Sequence, residues 1–452
     1  MMEGTGRLRG VFRSVVMLLA LTTLGVGTAA SQSALVPTQW SAILISEGES
    51  LKPKDPVDLA VSDGGEVAVA WARETEPGIS VRHRQESGWT WQMDRYPPPE
   101  SYPYAWSPTL AYSGTQRMDV WLEGNRQFSC NQPIHLRSPD GTGGFQDVGE
   151  KGYYNALAPP LASIAAGPSG WHLVFSAAPS TEECSQGSFN LYYAERRSLE
   201  TRWLTPTVVI THGAVISNTA VGGGVAYPHI ALSPDGETLH IVWEQREQFA
   251  GADIHASAWY ISGTLSPGGA VTWSPPVRVS PEIYPRVVRP DVAIASDGRV
   301  HVVWTRVEGK FDAPTGQYLY HNRLPDGALY LLTEQPIAAN KIFPKYVSTS
   351  VTTHGDTVCA AWHGYSATQQ GSGREDIHLI CSEDGGEHWG LTTNVSHSAE
   401  YRSVFPRIAF SPSGSLHATW VEYALKDEQW EPYSVFYGPA FRILMPLVLR
   451  SG

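Results

Sequence analysis

Five carboxylates stand in matching places along this chain: Glu74, Glu123, Glu244, Glu308 and Glu422 each come just past an aromatic residue that closes a short apolar run. Two such groups facing each other across a cleft would act as acid and nucleophile in glycoside hydrolysis, their separation setting the stereochemistry. A polar strand end copied by duplication gives the same pattern. A second set, Asp58, Thr109, Ser163, His229, Asp291, Lys345 and Arg407, occupies one repeated position but varies in type while its neighbours stay alike. Polar residues that differ from copy to copy suit a ligand-binding ring at a concave mouth. A water-filled channel that tolerates polar side chains is the alternative. Tyr365, Tyr423 and Trp430 lie in the following loops, where aromatic rings can stack on sugars. His172, His240, His301 and His417 resemble a metal set, each three residues before its repeat's aromatic. They fall on different copies, too far apart to share one ion at ligand distances of about 2 Å, and are read as packing residues. No HExxH, paired CxxC, Walker or Gly-rich dinucleotide motif occurs, so neither metal nor cofactor is expected.

The elements that carry these residues are read from an internal repeat. One copy runs Tyr227-Pro228-His229-Ile230-Ala231-Leu232-Ser233-Pro234-Asp235-Gly236 and then Leu239-His240-Ile241-Val242-Trp243; others run from Pro290 to Trp304 and from Phe405 to Trp420. Weaker copies run from Pro56 to Trp71, Pro108 to Trp121, Pro160 to Phe175 and Pro344 to Trp362. Apolar alternation marks two strands, and the Asp-Gly or Ser-Gly pair supplies the positive φ of a hairpin turn. A third strand follows, as at Asp376 to Cys381, then a fourth led by an aromatic: Trp91, Phe145, Trp203, Trp273 or Trp389. Four antiparallel strands repeated about seven times predict an all-β, seven-bladed β-propeller, with six blades as the alternative count. The last copy lacks a fourth strand and the stretch Trp40 to Ser46 looks like one without its first three, so the two termini are expected to share a blade and remove an open edge.

Charge and chain ends narrow the setting. A net charge of −12 without a basic stripe argues against nucleic acid. Arg7, Arg9 and Arg13 precede the apolar run Val15 to Val26 and the small residues Thr28-Ala29-Ala30, a signal-peptide pattern over residues 1–30. The run is too short for a stable span, which needs about 20 residues. The expectation is a single propeller domain over 31–440, exported or held at the cell surface as a monomer, and a short apolar tail over 441–452. Four cysteines in an exported chain should pair. If Trp362 faces His378 across the hairpin, the same register sets Cys359 opposite Cys381; Cys130 and Cys184 fall in equivalent loops of adjacent blades.

The segment Ser382-Glu383-Asp384-Gly385-Gly386-Glu387-His388-Trp389 resembles the Asp-box, Ser-x-Asp-x-Gly-x-x-Trp, of the sialidase-like BNR-repeat propellers, and it sits between third and fourth strands. Degenerate versions run from Ser138 to Phe145 and from Ser266 to Trp273. The resemblance implies a structural role for Ser382, Asp384, Gly386 and Trp389, away from the catalytic face. It also implies an arginine triad, a Tyr–Glu pair and an Asp acid/base where the chain is a sialidase. The first-blade Phe/Tyr-Arg-Ile-Pro motif is missing; Phe405-Pro406-Arg407-Ile408 has another order and belongs to the repeat. A triad would need Arg286, Arg289, Arg374 or Arg402 to come in from loops. The expectation is therefore a non-catalytic propeller that binds carbohydrate or another surface polymer at its mouth, with a sialidase-like glycoside hydrolase as the alternative.

Overall fold

Alternating apolar residues and tight Gly turns build seven small antiparallel sheets in this computed structural model. It describes residues 42–442 except 47–48, 50, 52–56, 75, 86, 89, 98–103, 125–129, 131–132, 140–144, 149–151, 154–161, 199, 213–219, 250–253, 267–269, 283–285, 311–312, 334–346, 366–373, 399 and 427–428. The expected signal peptide over residues 1–30 and most of the expected apolar tail lie outside the described residues; residues 441 and 442 end a strand. No helix among the described residues is long and apolar enough to cross a membrane.

Blade 1 comprises Asp58–Val61, Glu66–Arg73, Gly78–Gln85 and Gln92–Tyr96, from the axis outward. Blade 2 begins with Tyr104–Ser113 and Gln116–Gly124, blade 3 with Ala162–Gly167 and Gly170–Ala177, and blade 4 with Ala220–Leu232 and Thr238–Phe249. Blades 5 and 6 begin with Val287–Ile294 and Thr349–His354. Blade 7 takes Arg402–Phe410, Ser415–Lys426 and Gln429–Arg442 from the C-terminal end, and Ile43–Leu44 as its outermost strand. Ile43 pairs with Tyr437 and Leu44 with Phe436, so the blade is closed by both ends of the chain. Each innermost strand packs on the next, and that of blade 7 packs on that of blade 1. The count is seven.

The aromatic that closes each second strand is buried; five stack on their register partners, and Trp121 stacks on Tyr96 of the preceding blade. Trp243 lies over Trp259, Trp304 over Tyr320, Trp420 over Phe436 and Phe175 over Tyr192. Such pairs add about 0.5–1.5 kcal/mol each beyond area burial. The aromatics that lead into the outer strands work between blades. Trp91 meets Tyr437 edge-on, Trp273 meets Tyr193, Trp389 meets His321, and the Trp203 indole donates to Ser138 Oγ.

Both disulfides are formed. Cys359–Cys381 joins facing residues of blade 6, and Cys130–Cys184 ties a blade 2 loop to the short helix Thr181–Ser185 of blade 3. They enclose sequence separations of 54 and 22 residues for the inter-blade and intra-blade bonds respectively. By loop-closure entropy the double Ser variant of Cys130–Cys184 should lose about 4 kcal/mol and that of Cys359–Cys381 about 3 kcal/mol. Chemical denaturation checks the order; an equal or reversed loss would show that native packing outweighs loop length.

Candidate functional site

Along the innermost strands one position faces the residue just before each blade's aromatic: Asp58 opposite Ala70, Thr109 opposite Val120, Ser163 opposite Val174, His229 opposite Val242, Asp291 opposite Val303 and Arg407 opposite Thr419. All six line one central cavity with about 160 Å³ of room for water-sized molecules. Lys345 lies outside the described residues. In blade 6 the matching position is Ser350, opposite Ala361, and it lines the same cavity.

These side chains reach sideways. Asp58 accepts from Thr109 Oγ1 and Leu110 N, both at 2.9 Å. Ser163 accepts from Ile230 N, Asp291 from Val351 N at 3.0 Å, and Ser350 from Ile408 N. His229 Nδ1 stands 3.1 Å from Asp291, while Arg407 lies 3.7 Å from Asp58 and 3.8 Å from Asp291. The ring is therefore also a set of latches between neighbouring blades, with Arg407 to Asp58 closing blade 7 onto blade 1. The two carboxylates are tuned apart. Burial pushes Asp58 above the usual range and outweighs Arg407. Burial acts on Asp291 too, but His229 and then Arg407 hold it below that range.

Four inner strands make a bulge two residues before the ring position. Ser107, Tyr227, Arg289 and Phe405 have φ between +45° and +57°, and each precedes a proline. The ladder skips a register step there, so the missing proline N–H costs no bond. Left-handed backbone at bulky residues is costly and clusters at functional sites. Here it turns three large side chains together: the Arg289 guanidinium lies 5.1 Å from the Tyr227 ring and 5.8 Å from that of Phe405. Its backbone N–H is held by Glu244 Oε2, its guanidinium bonds Ser348 Oγ, and Glu244 Oε1 accepts from Arg246.

His363 completes this group from blade 6. It is fully buried, and its Nδ1 accepts from Ser348 N, which places its proton on Nε2. Burial, with Arg402 and Arg289 nearby, drives its pKa well down, so the ring is neutral. His363 Nε2 and Arg289 Nε have no hydrogen-bond acceptor among the described residues. Arg402 is fully buried on Glu375, beside Tyr365, whose hydroxyl burial and Glu375 push up to about 12. Of the four arginines named from sequence, Arg289 and Arg402 thus converge on one imidazole. Arg286 is bridged to Ala256 through its backbone, and Arg374 is exposed.

The repeated glutamates do not face one another. Glu123 and Glu422 accept the indole N–H of Trp121 and Trp420 at 2.8 Å, Glu308 pairs with Arg306, and Glu74 is exposed. Tyr423 is buried; the Trp430 side chain lies outside the described residues. Each of the four histidines has its own partner. His172, His240 and His417 set Nδ1 at 2.7, 2.8 and 2.6 Å from Tyr193, Tyr260 and Tyr437, and His301 faces His321 at 3.0 Å. In the turn after Cys381, Asp384 Oδ1 accepts from the N–H of Glu387 and His388, and Ser382 Oγ accepts from Gly386 N. Gly386 has φ +82°, and a Cβ there would come within 2.8 Å of His321.

No protein-family model and no curated protein sequence matches the chain. Among solved structures it is similar to the polysaccharide lyase Uly1, with a TM-score of 0.51 at 10% identity over 88% of this chain and 90% of that one. What they share is the fold. Trypanosoma rangeli sialidase, as a mutant displaying trans-sialidase activity, gives a TM-score of 0.47 at 9% identity, and this chain covers 59% of its length. The Hadza microbial sialidase Hz136 gives 0.43 at 11% identity, with 65% of its length covered.

Proposed function

We propose that this chain is an exported, sialidase-like Asp-box propeller that binds a carbohydrate bearing carboxylate or sulfate groups at its central mouth, without cleaving it. The observation that carries the reading is the convergence of Arg289 and Arg402 on His363, with the Tyr227 and Phe405 rings against Arg289. A buried donor with no acceptor costs about 1–3 kcal/mol, which an anionic ligand oxygen would recover. Charge-assisted bonds to guanidinium suit carboxylate and sulfate oxygens, and the flanking rings offer apolar faces to a sugar. The ring Asp58, Thr109, Ser163, His229, Asp291, Arg407, with Lys345 outside the described residues, forms the floor. An acidic protein with this local cationic patch would select anionic sugars by contact rather than by long-range attraction. The Asp-box turn at Ser382, Asp384, Gly386 and Trp389 is structural in this reading.

Hydrolysis is the second reading, and the opposed shifts of Asp58 and Asp291 favour it, since an acid and an ionised partner lining one cavity are the tools of glycosidases. Both carboxylates are, however, occupied by neighbouring blades. Binding of the mature protein to neutral, carboxylated and sulfated oligosaccharides tests the first reading; equal or no binding across the panel would remove it. Aryl glycosides, a sialoside among them, test the second, and turnover abolished by Asp58→Asn would establish hydrolysis in place of simple binding.

A further inference from the structure

On the hairpin-turn side of blade 3, away from the channel mouth, four side chains form a line. Ser169 Oγ lies 3.0 Å from His172 Nε2, His172 Nδ1 lies 2.7 Å from the Tyr193 hydroxyl, and Tyr193 donates to Glu195 Oε2 at 3.1 Å. The last member fixes every proton. An ionised carboxylate only accepts, so the Tyr193 proton points at Glu195 and its oxygen must accept from His172 Nδ1–H. That leaves the Nε2 lone pair facing the Ser169 hydroxyl. Arg197 holds the other oxygen of Glu195 at 3.1 Å. His172, Tyr193 and Glu195 are buried, whereas Ser169 is exposed. Trp273 of blade 4 packs edge-on against Tyr193 and holds the line in place.

The arrangement differs from its relatives in blades 4 and 5. In blade 4 the tyrosine beside His240 is bonded to Ser262, and in blade 5 His301 faces a second histidine, so neither line ends on a carboxylate. The blade 3 line also opens onto a groove of about 750 Å³ between blades 3 and 4, walled by Arg197, Glu200, Glu237, Leu265 and Ser266. A nucleophile, a base within hydrogen-bond reach and a third group orienting that base are the working parts of acyl transfer.

We infer that Ser169 is the nucleophile of a second site, which hydrolyses carboxylic esters of polar alcohols. Ser169 Oγ attacks the ester carbonyl carbon while its proton passes to His172 Nε2. The carbon–oxygen bond to the alcohol breaks, and Nε2 returns that proton to the departing oxygen. Water, losing a proton to Nε2, then attacks the acyl-serine; the carboxylic acid leaves and the Ser169 hydroxyl is restored. Arg197, which is 43% exposed, is the cation available to the oxyanion. Tyr193 and Glu195 are positioning residues.

The test uses the mature protein with a fluorophosphonate probe and with p-nitrophenyl acetate. The expected result is covalent labelling mapped to Ser169 and an initial burst of nitrophenol, both lost in Ser169→Ala, whose exposed site leaves folding intact. Glu195→Gln supplies an amide that can donate to Tyr193, reverse the line and put the proton on Nε2. It should lower kcat by about 100-fold or more with KM within a factor of two, as expected when a base is held in the wrong tautomer. A folded wild-type protein with neither label nor turnover, equal labelling in Ser169→Ala, or an unchanged kcat in Glu195→Gln would each overturn the inference.

Discussion

Acidification from pH 7 to pH 4.5 will unfold this propeller in mild denaturant. Buried histidines are the reason. Burial lowers the pKa of His172, His240 and His301 to about 4, and burial together with His301 and Arg323 lowers that of His321 to about 3. In the unfolded chain each titrates near 6.5. Between the two values only the unfolded chain takes the proton, so stability is full above pH 6.5 and falls as the pH drops, by about 1.4 kcal/mol per histidine per unit at the limiting slope. Four such groups remove on the order of 8 kcal/mol by pH 5, a large share of the 5–15 kcal/mol that holds a typical domain together. Asp58, Glu123 and Glu422, all raised by burial, take up protons in the folded state and return part of the loss. Urea melts at pH 7, 6, 5 and 4.5 read the slope. His240→Gln should flatten it by one histidine's share, and a flat profile from 7 to 4.5 would mean that these rings charge freely inside the fold.

The architecture was legible because a propeller repeats its physics. Each blade needs an aromatic to fill the wedge beside its second strand and a turn residue with positive φ, and both survive in Trp243, Trp304 and Trp420 with Gly236, Gly298 and Gly414. Blade closure was legible for a related reason: a sheet cannot leave an open edge at no cost, and Ile43 and Leu44 had no other strand to pair with. The Cys359–Cys381 disulfide followed from register, since Trp362 does face His378 and Cys359 does face Cys381.

The site was legible only in part. Pro108, Pro228, Pro290 and Pro406 each stand directly before a ring residue because the bulge places a left-handed residue ahead of them, so counting from proline finds Thr109, His229, Asp291 and Arg407. Blade 6 has Thr349 before its ring residue instead, and counting from Pro344 lands on Lys345, five residues short of Ser350. Arg289 and Arg402 were visible as candidates but not as neighbours, and His363 was missed. It follows Trp362 directly and resembles any polar strand end; only the closing of the ring brings it against residues from blades 5 and 7. The one local signal was the chemistry before proline: Tyr227, Arg289 and Phe405 are large residues where a left-handed backbone favours small ones.

If the proposed anionic carbohydrate is the ligand, replacing Arg289 by alanine will cut affinity for it by tenfold to a hundredfold while leaving the ring folded. The side chain makes few structural bonds: its link to Glu244 runs through the backbone N–H, which alanine retains, and its guanidinium is otherwise held by Ser348 Oγ and two ring faces. The melting temperature should therefore move by a few degrees at most. Hydrogen bonds between charged groups contribute about 1.5–3 kcal/mol each, and about 1.4 kcal/mol is a factor of ten in affinity. Lysine at the same position keeps the charge but loses the planar fork and the stacking between Tyr227 and Phe405, so Arg289→Lys should fall between wild type and alanine. Rising salt should weaken wild-type binding more than that of the alanine variant, because only the former retains the full screened attraction. Calorimetric titration at two ionic strengths separates these cases, and unchanged affinity in a folded Arg289→Ala protein would place the ligand away from the blade 5–6–7 side of the mouth.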